Sequence, residues 1–205
     1  MENTHHHPAD VGTAIEFINT RDVEADELLT AESAIRWLRD HELLHDDAAL
    51  TELALADHHP SRAAARWEQI AAIRAAMREL ADANAESRPP AAEAVALLND
   101  TLAGVGPVQV AADHGAIGLS HSHGDDPIVD ALGRLIAPLA HEIADGRADR
   151  MRICGNDTCR WVFFDTSRPN TRRWCEMASC GNRAKAARHR ARVRETSGAP
   201  LNTDA

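Results

Sequence analysis

The chain has 205 residues, of which 44% are hydrophobic and 26% charged, a balance that is ordinary for a soluble globular protein. Aromatic residues make up only 3% and tyrosine is absent, so alanine and leucine must fill most of the core, which favours helices. No apolar run approaches the roughly 18–20 residues that span a bilayer, and the N-terminus MENTHHHPAD has no apolar signal core, so we expect a cytoplasmic protein with no membrane partner.

The net charge of −10 is divided unevenly along the chain. Residues 147–194 hold thirteen basic and four acidic residues, a net of +9, while the rest of the chain holds nine basic and 28 acidic residues, a net of −19. An acidic body with a basic end indicates that the end binds a polyanion. The alternative is that the basic end pairs with the chain's own acidic body.

The first half of the chain has the pattern of a helical domain. Residues 1–7 are expected to form a flexible tail, and the short apolar segment after it suits a helix or a strand. Three helices follow: one with Thr30 as its N-cap, one that stops at Pro60, and a long one capped by Ser61. A further helix ends at Gly104.

The pattern then changes to that of a hairpin. Two β-leaning runs on either side of residues 113–115 predict it, and a helix with Asp126 as its N-cap follows. The predicted fold class is therefore α+β. A mostly helical N-terminal domain with a small β-hairpin spans residues 8–146, a separate small module spans 147–195, and a flexible tail spans 196–205.

All four cysteines lie in the small module, as two C-x4-C pairs fifteen residues apart: Cys154, Cys159, Cys175 and Cys180. Disulfides are rare in cytosolic proteins, and cysteine pairs at this separation indicate a structural zinc site; buried free thiols are the alternative. The β-leaning runs around the first pair and the helix-prone run after Cys180 predict a treble-clef-like finger. We expect one structural Zn²⁺, whose four thiolates leave no open position for catalysis.

Two histidines are weaker candidates for metal ligands than the cysteines. His121 and His123 form an HxH in a stretch rich in glycine and serine, with no obvious third ligand. Solvated or hydrogen-bonded surface histidines explain them better. The chain also lacks a glycine-rich phosphate loop and a nucleophile elbow, so we expect that it is not an enzyme.

The stretch RRWCEMASCGNRAKAARHRAR resembles the CGNR zinc-finger family, named for the run that stands here as Cys180–Arg183. The match covers about residues 147–194. Proteins of this kind usually carry an N-terminal helical domain called ABATE, labelled a stress-induced transcription regulator. The FINTR run at Phe17–Arg21 and the run LLNDTLAG resemble that domain. The resemblance implies a zinc-dependent, DNA-binding regulator.

The basic residues of the module are the candidate nucleic-acid contacts, because arginine binds phosphates and also the O6 and N7 atoms of guanine. In the predicted C-terminal helix, Ala184, Ala187 and Ala191 are expected to pack on the zinc knuckle or the hairpin, and Arg183 is the arginine most suited to a structural role. The full set of candidates is Arg172, Arg173, Asn182, Arg183, Lys185, Arg188, Arg190, Arg192 and Arg194.

These features favour a DNA-binding transcription regulator whose helical domain senses a small-molecule signal or dimerises. A homodimer would present two fingers to two half-sites. Two other classes remain open. An RNA-binding zinc module would stack unpaired bases on exposed aromatic side chains, and a protein-interaction adaptor would dock its basic helix on an acidic partner.

Overall fold

The computed structural model describes residues 10–21, 25–105, 108–113, 116–121 and 126–197. A 3-10 turn at Ala148–Arg150 precedes the third strand, and a π-helical turn at Met177–Gly181 runs directly into the last helix. In chain order the helices and strands are α1 (Val11–Asn19), α2 (Ala31–Asp40), α3 (Asp46–His58), α4 (Pro60–Ala85), α5 (Ala92–Ala103), β1 (Val108–Asp113), β2 (Ala116–His121), α6 (Pro127–Ala144), β3 (Met151–Ile153), β4 (Val162–Phe164) and α7 (Asn182–Ser197).

The predicted fold class is confirmed: a mostly helical domain with one hairpin precedes a small module that contains the cysteines. Strands β1 and β2 pair antiparallel from Val108 opposite His121 to Asp113 opposite Ala116. The side chain of His121 and the whole of His123 lie outside the described part of the chain, so the prediction that they are surface histidines stays a prediction. Within the described ranges, no helix has both the length and the apolarity that crossing a membrane requires.

Local sequence explains where two of the helices begin. The Thr30 side chain caps α2 in a capping box with Ser33, and the Asp126 carboxylate caps α6, both as predicted. The start of α4 differs from the prediction, because Pro60 is its first residue and Ser61 is not its cap. Proline is tolerated there, since an N–H in the first turn has no acceptor within the helix.

The core is centred on α4, which contacts α1, α2, α3, α5, α6 and β3. Its residues Ile70, Ile73 and Met77 are buried at the spacing of one helix face. Leu132 and Leu135 of α6 belong to the same apolar cluster. Helix α4 is therefore the centre of the body's core, and it also contacts β3 of the cysteine module.

The cysteine module is packed against the body rather than separate from it. Strands β3 and β4 pair antiparallel, β3 contacts α4, and β4 contacts α1. Met151 and Val162 are buried in the same cluster as the body's core. The predicted domain boundaries stay predictions; what the structure shows is that the β3–β4 hairpin shares the body's core.

Asn19 joins the two parts with a pair of hydrogen bonds. Its Nδ2 donates to the carbonyl of Val162 and its Oδ1 accepts from the N–H of Val162, each at 2.8 Å. Asn84, near the end of α4, likewise donates to the carbonyl of Met151 at 2.8 Å. Two side-chain amides thus bind the backbone of the β3–β4 hairpin from α1 and α4.

Replacing Asn19 with alanine should lower the free energy of unfolding by about 2 kcal/mol, because both polar groups of the buried Val162 backbone lose their partner. Asn99→Ala, on the exposed side of α5, is the matched control and should change stability by less than about 0.5 kcal/mol. Chemical denaturation followed by circular dichroism measures both. Equal losses in the two variants would show that the Asn19 amide does not hold β4.

Candidate metal centre and nucleic-acid interface

The four cysteines come together in one cluster whose Sγ atoms all lie within 4.8 Å of one another. The Sγ atom of Cys175 is 3.7 Å from that of Cys159 and 3.8 Å from that of Cys180. A tetrahedral zinc ion with Zn–S bonds of about 2.3 Å requires S–S separations of about 3.8 Å. The donors therefore have the number, chemistry and spacing of a structural zinc centre, and the predicted cofactor is confirmed as one structural zinc ion.

The first cysteine pair is positioned by the β3–β4 hairpin. The N–H of Cys154 donates to the carbonyl of Trp161 at 2.8 Å, which extends the strand pairing up to the turn. Within the turn, the N–H of Cys159 donates to the carbonyl of Asn156 at 2.8 Å. Arg160 then adopts a left-handed backbone with φ of 55°, which returns the chain to β4. We call residues 154–160 the zinc knuckle.

The second pair is positioned by close packing against the knuckle. The N–H of Gly155 donates to the carbonyl of Arg173 at 2.8 Å. A Cβ at Gly155 would lie 3.3 Å from the Trp174 ring, and one at Gly181 would lie 3.3 Å from the same ring. Two glycines thus let both cysteine loops approach Trp174. The π-helical turn then places the buried Cys180 at the start of α7.

The surroundings set the acidity of the thiols. The hydrogen bond from Asn156 Nδ2 to Cys180 Sγ, at 3.5 Å, lowers the pKa of Cys180 to about 7. Burial raises the pKa of Cys159 and of Cys175 above the ordinary value for a thiol. Zinc binds thiolates, so binding at neutral pH must release protons from these last two cysteines, and zinc is lost as the pH falls.

A buried carboxylate organises the loop between β4 and the second cysteine pair. Asp165 accepts hydrogen bonds from the N–H of Ser167 at 2.9 Å and the N–H of Arg172 at 2.8 Å. Burial raises the pKa of Asp165, but these bonds outweigh it and hold that pKa below its usual value. Arg150 and Arg152 donate to four backbone carbonyls of the same loop. Sequence reasoning missed all three residues as supports of the finger; the D-x-S pattern of an Asx turn at Asp165 was the available signal.

Two of the candidate nucleic-acid contacts, Arg172 and Arg173, differ sharply in their surroundings. Arg172 is half-buried, lies 5.0 Å from the centre of the Phe163 ring, and donates to the carbonyl of Cys175. Arg173 is exposed and lies over the Trp174 ring at 5.4 Å. Arg172 therefore binds the finger's own backbone, whereas Arg173 leaves its guanidinium edge accessible to a partner.

This difference predicts opposite effects for neighbouring substitutions. Arg172→Ala should destabilise the finger by about 2 kcal/mol, because it removes charge-assisted hydrogen bonds next to a zinc ligand, and should speed zinc transfer to a chelator. Arg173→Ala should leave that rate nearly unchanged. The absorbance of a zinc chelator over time measures both. Equal rates in the two variants would contradict a structural role for Arg172.

Helix α7 extends from the zinc centre with little packing of its own. Apart from Ala184, which is half-buried, every residue from Asn182 to Val193 is exposed. Ala187 and Ala191 are exposed too, so the expectation that the alanine face packs on the knuckle or the hairpin is wrong for these two. The reason is the direction of the helix, since the π-helical turn is the element it chiefly contacts.

Four cations of α7 form no ion pair with the acidic body. Among the described side chains, no ion pair involves Arg183, Lys185, Arg188 or Arg190. Arg183, expected to be the most structural, is exposed, and Arg188 donates only to the carbonyl of Ala184, one turn earlier, at 3.4 Å. Asn182 is exposed and its amide donates to the carbonyl of Ala178. The side chain of Arg194 lies outside the described residues.

Comparison with known proteins agrees with this architecture. The family described as ABATE, "Putative stress-induced transcription regulator", matches residues 12–149. The family described as the CGNR zinc finger matches residues 150–193. No curated protein matches the chain. The first match spans more than half of the sequence and the second contains all four cysteines. The chain therefore belongs to the ABATE family and contains a CGNR zinc finger at residues 150–193.

Proposed function

We propose that the protein is a zinc-dependent transcription regulator that binds DNA through its finger and α7. The observation that carries the proposal is that a basic helix, anchored at a structural zinc centre, is exposed on nearly all sides. Exposed cations on a helix that is already formed can bind a phosphate backbone with little loss of conformational entropy, and they release counterions when they do so.

The helical period divides the cations of α7 between two opposite sides. One side carries Lys185, Arg188 and Arg192. The other carries Arg183 and Arg190. A helix in the major groove lies between two phosphate backbones, one from each strand, and the groove is wide enough to admit a helix. Two opposite basic stripes match that arrangement better than a single stripe would.

The small side chains of α7 lie between the two stripes. Ala184, Ala187 and Ala191 fall on one strip of the surface at helical spacing. With phosphates on either side, this strip would face the floor of the groove, where alanine packs against thymine methyl groups and flanking arginines reach guanine. The alanine strip would therefore let α7 approach the bases closely. This role differs from the packing on the finger that the sequence predicts.

For the helical body we propose a sensing or dimerising role, with a small-molecule signal and a second copy of the chain as the partners. We propose further that the protein is not an enzyme, since a zinc ion held by four thiolates has no open position for a substrate or a water. The zinc centre instead fixes the position of α7.

A second candidate function is RNA binding, which one observation favours. Trp161, next to the zinc knuckle, is 43% exposed. Exposed aromatic rings beside cations stack unpaired bases in RNA-binding modules. Four of the chain's seven aromatic residues lie in the finger: Phe163 is buried, Phe164 and Trp174 are half-buried, and Trp161 is exposed.

A mobility-shift titration with zinc-loaded protein separates these functions. Genomic duplex fragments and single strands of the same sequence are compared at two salt concentrations. A DNA regulator should prefer certain duplexes and lose affinity steeply as salt rises. A preference for single strands, especially RNA, would favour the second function. Absence of binding to either at low salt would overturn both and leave the protein-interaction adaptor.

A further inference from the structure

A cavity of about 330 Å³ lies where the end of α1, the middle of α4 and the zinc knuckle meet. Its walls carry four arginines and two acidic residues: Arg21, Arg74, Arg78, Arg160, Glu79 and Asp82. Ile18, Ala71 and Ala75 supply the apolar part of the lining, which we call the apolar floor. Cys159, a zinc ligand, also lines it, so the cavity connects the helical body with the metal centre.

The four arginines are not equally engaged. Arg74 is buried and tied to Asp26 by two hydrogen bonds of 2.8 and 2.6 Å. Arg78 makes two long contacts, 3.2 and 3.4 Å, with Asp82. Arg21 and Arg160 are exposed at the mouth and form no ion pair with a described side chain. Among the side chains that the structure describes, these two positive charges therefore have no carboxylate partner.

The acidic residues of the wall do not supply the missing charge. The hydrogen bond from Arg88, together with one from the N–H of Ala91, lowers the pKa of Glu79 to about 2, so this carboxylate stays ionised and is already bound to two groups that do not line the cavity. Asp82 is shared with Arg78. The balance of the cavity is thus positive, with its excess at the mouth beside the knuckle.

We propose that this cavity binds a small organic anion with a carboxylate or phosphate group. The anionic group would lie between Arg21, Arg78 and Arg160, because guanidinium groups bind such oxygens with paired, charge-assisted hydrogen bonds. The organic part would rest on the apolar floor. The volume is at the lower end of the range for small-molecule pockets, about 300–1,000 Å³, which fits a metabolite of a few carbon atoms rather than a nucleotide.

The anion would stabilise the zinc knuckle, since Cys159 and Arg160 contribute to the same wall. We call the finger closed when its four cysteines lie together as they do in this structure. A ligand that bridges α1, α4 and the knuckle binds only to the closed finger, and it therefore shifts the equilibrium toward that conformation. This step deepens the sensing role of the body and depends on the proposed function only for its effect at DNA. Binding itself is measured without nucleic acid, so either proposal can fail alone.

Isothermal titration calorimetry of the zinc-loaded full chain tests the site with three probes: inorganic phosphate, glycerol 3-phosphate and succinate. We expect saturable binding of one class with a Kd below about 1 mM. Phosphate probes and succinate distinguish the two anionic groups. Arg21→Gln and Arg160→Asn should each weaken that binding about tenfold or more. Asparagine is chosen at 160 because it tolerates the left-handed backbone there.

Arg168→Gln is the control, since Arg168 is an exposed arginine of the finger that does not line the cavity. It should bind the probe as the unaltered chain does. Should Arg160→Asn disturb the knuckle, Arg21→Gln still tests the site from α1. No saturable binding of any probe overturns the proposal, and so does affinity that both variants leave unchanged.

Zinc transfer to a chelator tests the link to the metal centre. At a probe concentration about ten times the Kd, transfer should slow about tenfold, because the closed finger is favoured by that factor. A probe that binds through Arg21 and Arg160 without slowing transfer would overturn the coupling to the knuckle.

Discussion

The Cys175→Ser variant should lose most of its zinc, and the end of its finger should unfold. Three thiolates and a hydroxyl bind zinc far more weakly than four thiolates, and structural zinc contributes about 10–16 kcal/mol of apparent binding free energy. The π-helical turn and α7 depend on Cys180 for their position, so α7 should become sensitive to proteases. Zinc content and limited proteolysis of the purified chain measure the two effects.

The helices of the body should survive this substitution, although the body should melt at a lower temperature. The β3–β4 hairpin shares its core with α1 and α4, and Met151 and Val162 are buried there. Ser179→Ala is the matched control, since Ser179 adjoins Cys180 but bonds to Glu176 at 2.7 Å rather than to the metal. A full complement of zinc in Cys175→Ser would show that the four-thiolate centre is wrong.

Arg188→Ala combined with Arg192→Ala should weaken binding to duplex DNA about tenfold or more at low salt while the chain keeps its zinc. Both residues lie on one stripe of α7. Each lost phosphate contact should also reduce the slope of log K against log salt by about one, so the double variant should lose about two. Alanine maintains the helix, which isolates the effect of charge.

Arg36→Ala combined with Arg62→Ala is the control for this double substitution. These arginines of the body have side chains 51% and 50% exposed, so they match the charge removed without touching α7. Their loss should leave both the affinity and the salt slope nearly unchanged. Equal losses in the two double variants would mean that net charge alone drives binding. An unchanged affinity in the α7 variant would mean that α7 does not contact the DNA.

The zinc centre shows how much can be predicted from local spacing. Two C-x4-C pairs and the turn residues between Cys154 and Cys159 suffice to predict a knuckle, because a short loop keeps two sulfurs on one side of an ion whatever surrounds it. The caps at Thr30 and Asp126 are local in the same sense, since each bonds to N–H groups within three residues. These features follow from the sequence because their partners are sequence neighbours.

Other features depend on residues that meet only in the fold. Asn19 bonds to Val162 across 143 positions, and nothing in either local pattern indicates this pair. Arg172 and Arg173 are identical neighbours in sequence, yet Arg172 binds the finger's backbone and Arg173 is exposed. Whether an arginine is structural or accessible depends on the carbonyls and rings that tertiary packing brings to it.

The sequence by itself determined the helical body with one hairpin, the four zinc ligands and the basic character of the last helix, because these depend on periodicity, spacing and composition. Only the tertiary structure decided that the finger shares the body's core, that α7 is exposed along most of its length, and that Arg21 and Arg160 meet at one cavity. The physical reason is that burial and charge pairing depend on distances in space, which the chain sets only when distant segments pack.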